Sequence, residues 1–217
     1  MRFGRIEYLN LLPFHVFMKR YVRSSQAQMM LRYGANVPSV INKAYRSGKV
    51  NAAFISSIRA KRERHLGFGI IADGEVQSVL IIPSERSAAD TSSETSNVLA
   101  SVLGLQGRVI IGDPALRAFH AGVDAVDLAA AWKARHDLPF VFALLCYRGE
   151  EARMRRLGRA FGRHPKKIPQ YLLKRASEQT GVAPHHITEY LTHIHYRVDH
   201  RAQRSVERFW RLAGTAG

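Results

Sequence analysis

The chain has 217 residues, 46% of them hydrophobic, which is length enough for one large domain or two small ones around a packed core. Its 33 Lys and Arg against 17 Asp and Glu give a formal charge of +16, a field that draws anions of every kind and does not by itself select nucleic acid over a small carboxylate. No run approaches the ~18 uninterrupted apolar residues of a membrane-spanning helix, and the single cysteine, Cys146, excludes an internal disulfide and fits a reducing compartment.

The opening "MRFGRIEY" reads as a strand and "LLPFHVFMKRYV" as a helix. Asn10 stands at their junction, as a helix cap or as an amide facing a ligand. The stretch is broken by Asn10, Pro13 and His15, with no cleavage site after it, so no export signal and a cytoplasmic location are expected. "AQMMLRYG" reads as a second strand closed by Gly34. "PSVINKAYRSG" reads as a helix, with Pro38 in its first turn and Gly48 past its end. "VNAAFIS" and "FGIIADG" read as a third and a fourth strand. Strands separated by helices predict parallel pairing and an α/β fold.

"VQSVLIIPS" is an apolar strand leading away from this block. The polar run "SERSAADTSSETS" follows, then a helix over "NVLASVLGL", a strand in "RVIIGDPAL" and a long buried strand in "LPFVFALLCY". Beyond Tyr147 the pattern predicts helices alone, with fifteen basic and six acidic residues over 147–217. The histidines of "HHITEYLTHIHYRVDH" fall along one helical tract, with His186, His193 and His200 sharing a face. HExxH spacing is absent, so a metal site is not expected. The two long apolar strands bracket the middle of the chain. This predicts a discontinuous lobe of residues 1–80 plus 142–217 and a smaller lobe of 81–141, with a ligand cleft between them.

Ligand-facing residues of such a fold lie at the carboxyl ends of strands. Asn10, Ser56, Ser57, Ser93, Thr95, Ser96, Gly112 and Asp113 stand there. Apart from Asp113 they are small or neutral donors, a set suited to a carboxylate. Each also has a structural role open to it: Asn10, Ser57 and Ser93 as helix caps, and Asp113 as a cap ahead of Pro114.

The motifs "YLNLLPF", "AAFISS", "GEVQSVLI", "SSETSNVL", "IGDPAL", "DLAAAWKARHDLPFVFAL" and "YLTHIHY" occur in an order that resembles the chorismate dehydratase family of the futalosine route to menaquinone, over nearly the whole chain. The sequence looks like a short version of that family. Pro114, Val126 and the run Leu144, Leu145, Cys146 depart from its pattern. The resemblance implies the two-lobed fold of type II periplasmic binding proteins with a helical C-terminal region. It also implies cofactor-free loss of water from chorismate, and it adds Ser78 of "SVL" to the substrate-binding set. Asn10 and Asp113 are the expected catalytic residues. The proton would be taken by the substrate's own enolpyruvyl carboxylate or by Asp113. Chorismate is the expected partner, with no membrane and no nucleic acid, and the oligomeric state is left open. A non-catalytic carboxylate binder of the same fold and a basic nucleic-acid-binding protein, with a helix-turn-helix around Gly181, are the competing readings.

Overall fold

The structure is a computed structural model that describes residues 2–23, 35–164 and 167–215. The strand expected over 27–34 lies outside the described residues. The elements run β1 (Phe3–Ile6), a 3₁₀ turn (Leu9–Leu11), α1 (Leu12–Tyr21), β2 (Ala35–Asn36), α2 (Pro38–Arg46), β3 (Ala52–Ser56), α3 (Ser57–Ala60) and β4 (His65–Ala72). Then come β5 (Val79–Ile82), α4 (Glu94–Leu103), β6 (Arg108–Ile111), α5 (Gly112–His120), β7 (Val126–Asp127), α6 (Leu128–His136) and β8 (Phe140–Tyr147). α7 (Glu151–Arg163), α8 (Gln170–Thr180), α9 (Pro184–Thr192), β9 (His195–Arg197) and α10 (His200–Thr215) complete the order.

Two sheets divide these strands. Six of them lie in the order β2-β1-β3-β8-β4-β9, and β6-β5-β7 form a second, antiparallel sheet. β1 pairs parallel with β2 and β3, and the pairing with β3 is the one expected. β4 corrects the expectation of parallel pairing throughout. It never meets β3, because the returning β8 inserts between them, antiparallel to both. β8 is buried at all but Phe142 and Ala143, between neighbours on each side, and this is why "LPFVFALLCY" reads as a continuous apolar run rather than an alternating one. At Gly69 in β4 a Cβ would collide with the Ala143 carbonyl of β8, so the close approach at this irregular pairing requires glycine.

Aromatic clusters hold the layers to the first sheet. Phe14 of α1 meets Phe3, Phe54 and Phe161 at ring separations of 5.0–5.5 Å, which joins α1 and α7 to the strands. Trp132 of α6 packs edge-on to Phe140 and Phe209 and donates its indole N–H to Ser205 Oγ at 2.9 Å, so the buried polar atom is satisfied.

The all-helical expectation after Tyr147 is wrong at one place. His195–Arg197 is a strand that pairs antiparallel with β4 at the sheet edge. Buried Ile194 and Tyr196 alternate with exposed His195 and Arg197, a period of two too short to stand out beside the long helices. The histidine tract is therefore broken. His186 lies in α9, His193 follows the helix end and His200 opens α10, so no single helix face carries them.

The chain passes between the sheets twice, at 73–78 and 137–139. Asp127 fastens the first passage. Its carboxylate accepts from Val76 N and Gln77 N at 2.9 and 2.6 Å, and from Ala129 N and Ala130 N of α6 at 2.9 and 3.0 Å. Gln77 next to it is buried with φ +60°, a conformation rare outside glycine.

Candidate active site

A cavity of about 60 Å³ lies where the two sheets face each other. Its polar lining comes from four strand ends and one helix start. Asn10 follows β1, Ser56 ends β3, Ser78 precedes β5, Gly112 follows β6, and Ser93 and Ser96 flank the start of α4. Apolar walls come from Phe54, Ile70, Val76, Ile111 and Phe142, with Tyr8 at one side. No Asp, Glu, His, Lys or Arg stands among the described lining residues.

Each hydroxyl is fixed from behind. Ser56 Oγ accepts from Asn42 Nδ2 at 2.8 Å, while its own N–H donates to Asn42 Oδ1 at 3.2 Å. Ser78 donates its N–H to the Val76 carbonyl at 2.7 Å, and its carbonyl accepts from Gly112 N at 2.8 Å. Its Oγ accepts from the Tyr190 hydroxyl at 3.0 Å. Ser93 caps α4 by accepting from Ser96 N at 3.2 Å, and the two hydroxyls meet at 2.8 Å.

Asn10 sits in the 3₁₀ turn. Neither that turn nor α1 takes a side-chain cap hydrogen bond, so the capping role open to Asn10 is not the one it fills. Its carbonyl accepts from the Tyr196 hydroxyl at 2.6 Å. Gly112 has φ +65°, and a Cβ there would press on the Tyr8 ring at 3.2 Å, so both backbone and space call for glycine.

Three of the expected site residues lie off the cavity lining. Ser57 and Thr95 are fully buried and meet each other at 3.5 Å, and Thr95 Oγ1 accepts from Ile58 N at 3.3 Å. They join α3 to α4 rather than face the opening. Asp113 does not cap α5. The helix begins at Gly112, with Ile111 ahead of it and no side-chain cap. Burial pushes the Asp113 carboxyl above the usual carboxylate range, against the pull of Arg117, and its Oδ1 is buried without a hydrogen-bond partner.

Sequence reasoning missed Tyr8 at the side of this lining and the supports behind it: Asn42, Asp127, Tyr190 and Tyr196. "YLTHIHY" contains both of the last two tyrosines, but nothing in their spacing says that the fold carries them beneath Asn10 and Ser78. Burial raises the Tyr190 hydroxyl far above its ordinary range, with its Ser78 and Asn10 partners acting in the opposite sense. The phenol therefore stays protonated and remains a donor. Tyr8 is also raised, mainly by burial and against a hydrogen bond from Ser92.

Two α/β sheets joined by two chain passages, with a polar cavity between them, define a periplasmic-binding-protein-like fold. Solved structures agree. A protein of Archaeoglobus fulgidus superposes with a TM-score of 0.72 at 12% identity, covering 99% of this chain and 96% of that one. The alkanesulfonate-binding protein SsuA of Xanthomonas axonopodis pv. citri gives 0.55 at 13% identity, covering 100% and 93%. Sequence comparison goes further than the fold. The menaquinone-biosynthesis family model matches residues 1–108 and 103–215, and the chain belongs to that family. It is 35% identical to a chorismate dehydratase of Campylobacter jejuni over 213 residues, 96% of each chain. It is 25% identical to a chorismate dehydratase of Thermus thermophilus, over 97% of this chain and 94% of that one.

Proposed function

We propose that this chain is a chorismate dehydratase, a hydro-lyase that converts chorismate to 3-enolpyruvylbenzoate and water in menaquinone biosynthesis. One observation of the structure supports it above the others. Neutral donors from both sheets converge on a single cavity whose described lining holds no acid, base or cation.

The chemistry needs such a lining. Taking the C3 proton of chorismate sends negative charge through the C1–C2 double bond to the ring carboxylate. Loss of the C4 hydroxyl then makes the ring aromatic, and the proton from C3 leaves with that hydroxyl as water. The reaction as written involves no redox change. Fixed donors at the ring carboxylate act where charge grows, which is where donors accelerate a reaction most. Asn10, Ser56, Ser78 and one hydroxyl of the mutually bonded Ser93 and Ser96 are those donors, with Gly112 beside them. The enolpyruvyl carboxylate, held against C3 by the same walls, is the base.

Ligand sites usually enclose roughly 300–1,000 Å³, so a cavity of about 60 Å³ belongs to a closed cleft. Substrate enters when the six-stranded sheet and its helices part from the three-stranded sheet and its helices, bending at the passages 73–78 and 137–139. The enzyme works in the cytoplasm, a location supported by the single thiol of Cys146, buried in β8.

Incubation with chorismate tests the reading. The expected product is 3-enolpyruvylbenzoate, formed at an unchanged rate in EDTA. Asp113→Asn is expected to stay within ~3-fold of wild type, and a loss on the order of 100-fold would move the base from substrate to Asp113. Binding of 3-hydroxybenzoate without any turnover of chorismate would make the chain a carboxylate-binding protein instead.

A further inference from the structure

We infer that Tyr190 is a positioning residue of this site, turning the Ser78 hydroxyl so that its single proton points at the substrate. The inference rests on the activity proposed above and deepens it.

A serine hydroxyl carries one proton and two acceptor lone pairs. Left alone in a buried pocket it rotates, and donating to a ligand is only one of its options. Three contacts remove that freedom at Ser78. Its backbone is pinned on both sides, N–H to the Val76 carbonyl at 2.7 Å and carbonyl to Gly112 N at 2.8 Å. Its Oγ then receives the Tyr190 proton at 3.0 Å. The bond runs from the phenol to the serine, and burial keeps that phenol protonated and able to donate near neutral pH. With a lone pair occupied from below, the Ser78 proton is left for the cavity that the residue lines. Donation in series also polarises the second hydroxyl, which strengthens the bond it makes in turn.

Tyr190 itself does not line the cavity. It is 1% exposed on the inner face of α9, and it reaches the reaction only through its partners. The Asn10 side chain also acts on its hydroxyl. Tyr196, four residues after α9 ends, fixes the Asn10 backbone with its own hydroxyl. The C-terminal segment thus serves as the underside of the site, a task separate from packing the sheet edge.

Tyr190→Phe removes one oxygen and keeps the ring. The expected result is a folded protein whose kcat falls at least 10-fold while KM moves less than 3-fold. In a Ser78→Ala background the same change should cost less than 2-fold, because the hydroxyl it orients is gone. A merely structural tyrosine would lower the melting temperature and leave kcat in place, and that outcome overturns the inference. So does a full 10-fold loss that persists in the Ser78→Ala background. Wild-type turnover is measured first and reports on the proposed function separately. Should the wild type leave chorismate untouched, calorimetry with 3-hydroxybenzoate decides: at least 5-fold weaker binding by Tyr190→Phe upholds the positioning role, while equal binding, or none by the wild type, overturns it.

Discussion

Replacing Asn10 by alanine separates the two roles that its position allows. A helix cap contributes about 0.5–2 kcal/mol to folding, and that loss would appear as early melting. Neither the 3₁₀ turn nor α1 takes a cap hydrogen bond from a side chain, so this term is missing. The Tyr196 bond goes to the Asn10 carbonyl, which alanine keeps. What alanine removes is a half-buried amide facing the cavity and bearing on the Tyr190 hydroxyl. The stability loss should be about 1 kcal/mol, the scale of one hydrogen bond lost at the Tyr190 hydroxyl. Turnover should fall on the order of 100-fold, about 2.7 kcal/mol of barrier, as for other single fixed donors at a developing charge. Urea titration gives the first number. Appearance of the aromatic product in the ultraviolet at saturating chorismate gives the second. A variant that unfolds early but turns over like wild type would refute the reasoning, and so would one unchanged in both.

Asp127→Asn keeps an acceptor for α6 but turns an NH₂ toward the Val76 and Gln77 amides. It should cost about 2–3 kcal/mol, the scale of leaving buried donors unpaired, and a urea-measured loss under ~0.5 kcal/mol would show that the first passage is held by something else. Burial, helped by the nearby Arg5, holds His15 down at about 3. The unfolded chain takes up a proton below pH ~6.5 that the folded chain refuses. Stability should therefore fall as pH drops from 6.5 toward 4, by at most ~1.4 kcal/mol per unit. His15→Gln should flatten that slope between pH 7 and pH 5, and equal slopes in the two proteins would exclude His15 as its source.

The strands and helices were legible wherever one face repeats. Pro38 and Gly48 bracket α2, and Ser93 caps α4 as its sequence suggests. The two long apolar runs were legible as strands, β5 and β8, but the places where the chain crosses between the sheets were not. Boundaries after residues 80 and 141 fall inside β5 and β8, each of which belongs whole to one sheet. The chain crosses instead through short polar stretches, held by a carboxylate 50 residues away. Of the site, small polar residues at strand ends could be read directly, because the strand-to-helix turn leaves a characteristic residue there. Their direction could not. Ser57 and Thr95 resemble Ser56 and Ser96 in sequence yet satisfy each other between two helices. Tyr190 bonds Ser78 across 112 positions, and no local pattern encodes a contact at that distance.

A chain of charge +16 has arginines to spare for seizing a dianion. The described cavity lining has none, and the chemistry gives a reason. An arginine on the ring carboxylate would act on the full charge already present in the ground state, so much of its attraction would deepen binding without lowering the barrier. On the enolpyruvyl carboxylate it would do harm, since a paired cation lowers the basicity of the group that must take the proton. Neutral hydroxyls and amides avoid both effects. They leave the base unpaired and, once fixed from behind, donate most strongly to the oxygen where charge accumulates. The positive surface can then do what it does at long range, which is to raise the local concentration of the anion. Chloride at ~0.5 M screens that field over a few ångströms but reaches neutral donors weakly. Added salt should therefore raise KM several-fold and leave kcat within ~2-fold. A fall in kcat with salt, at constant KM, would place a cation among the groups that stabilise the transition state.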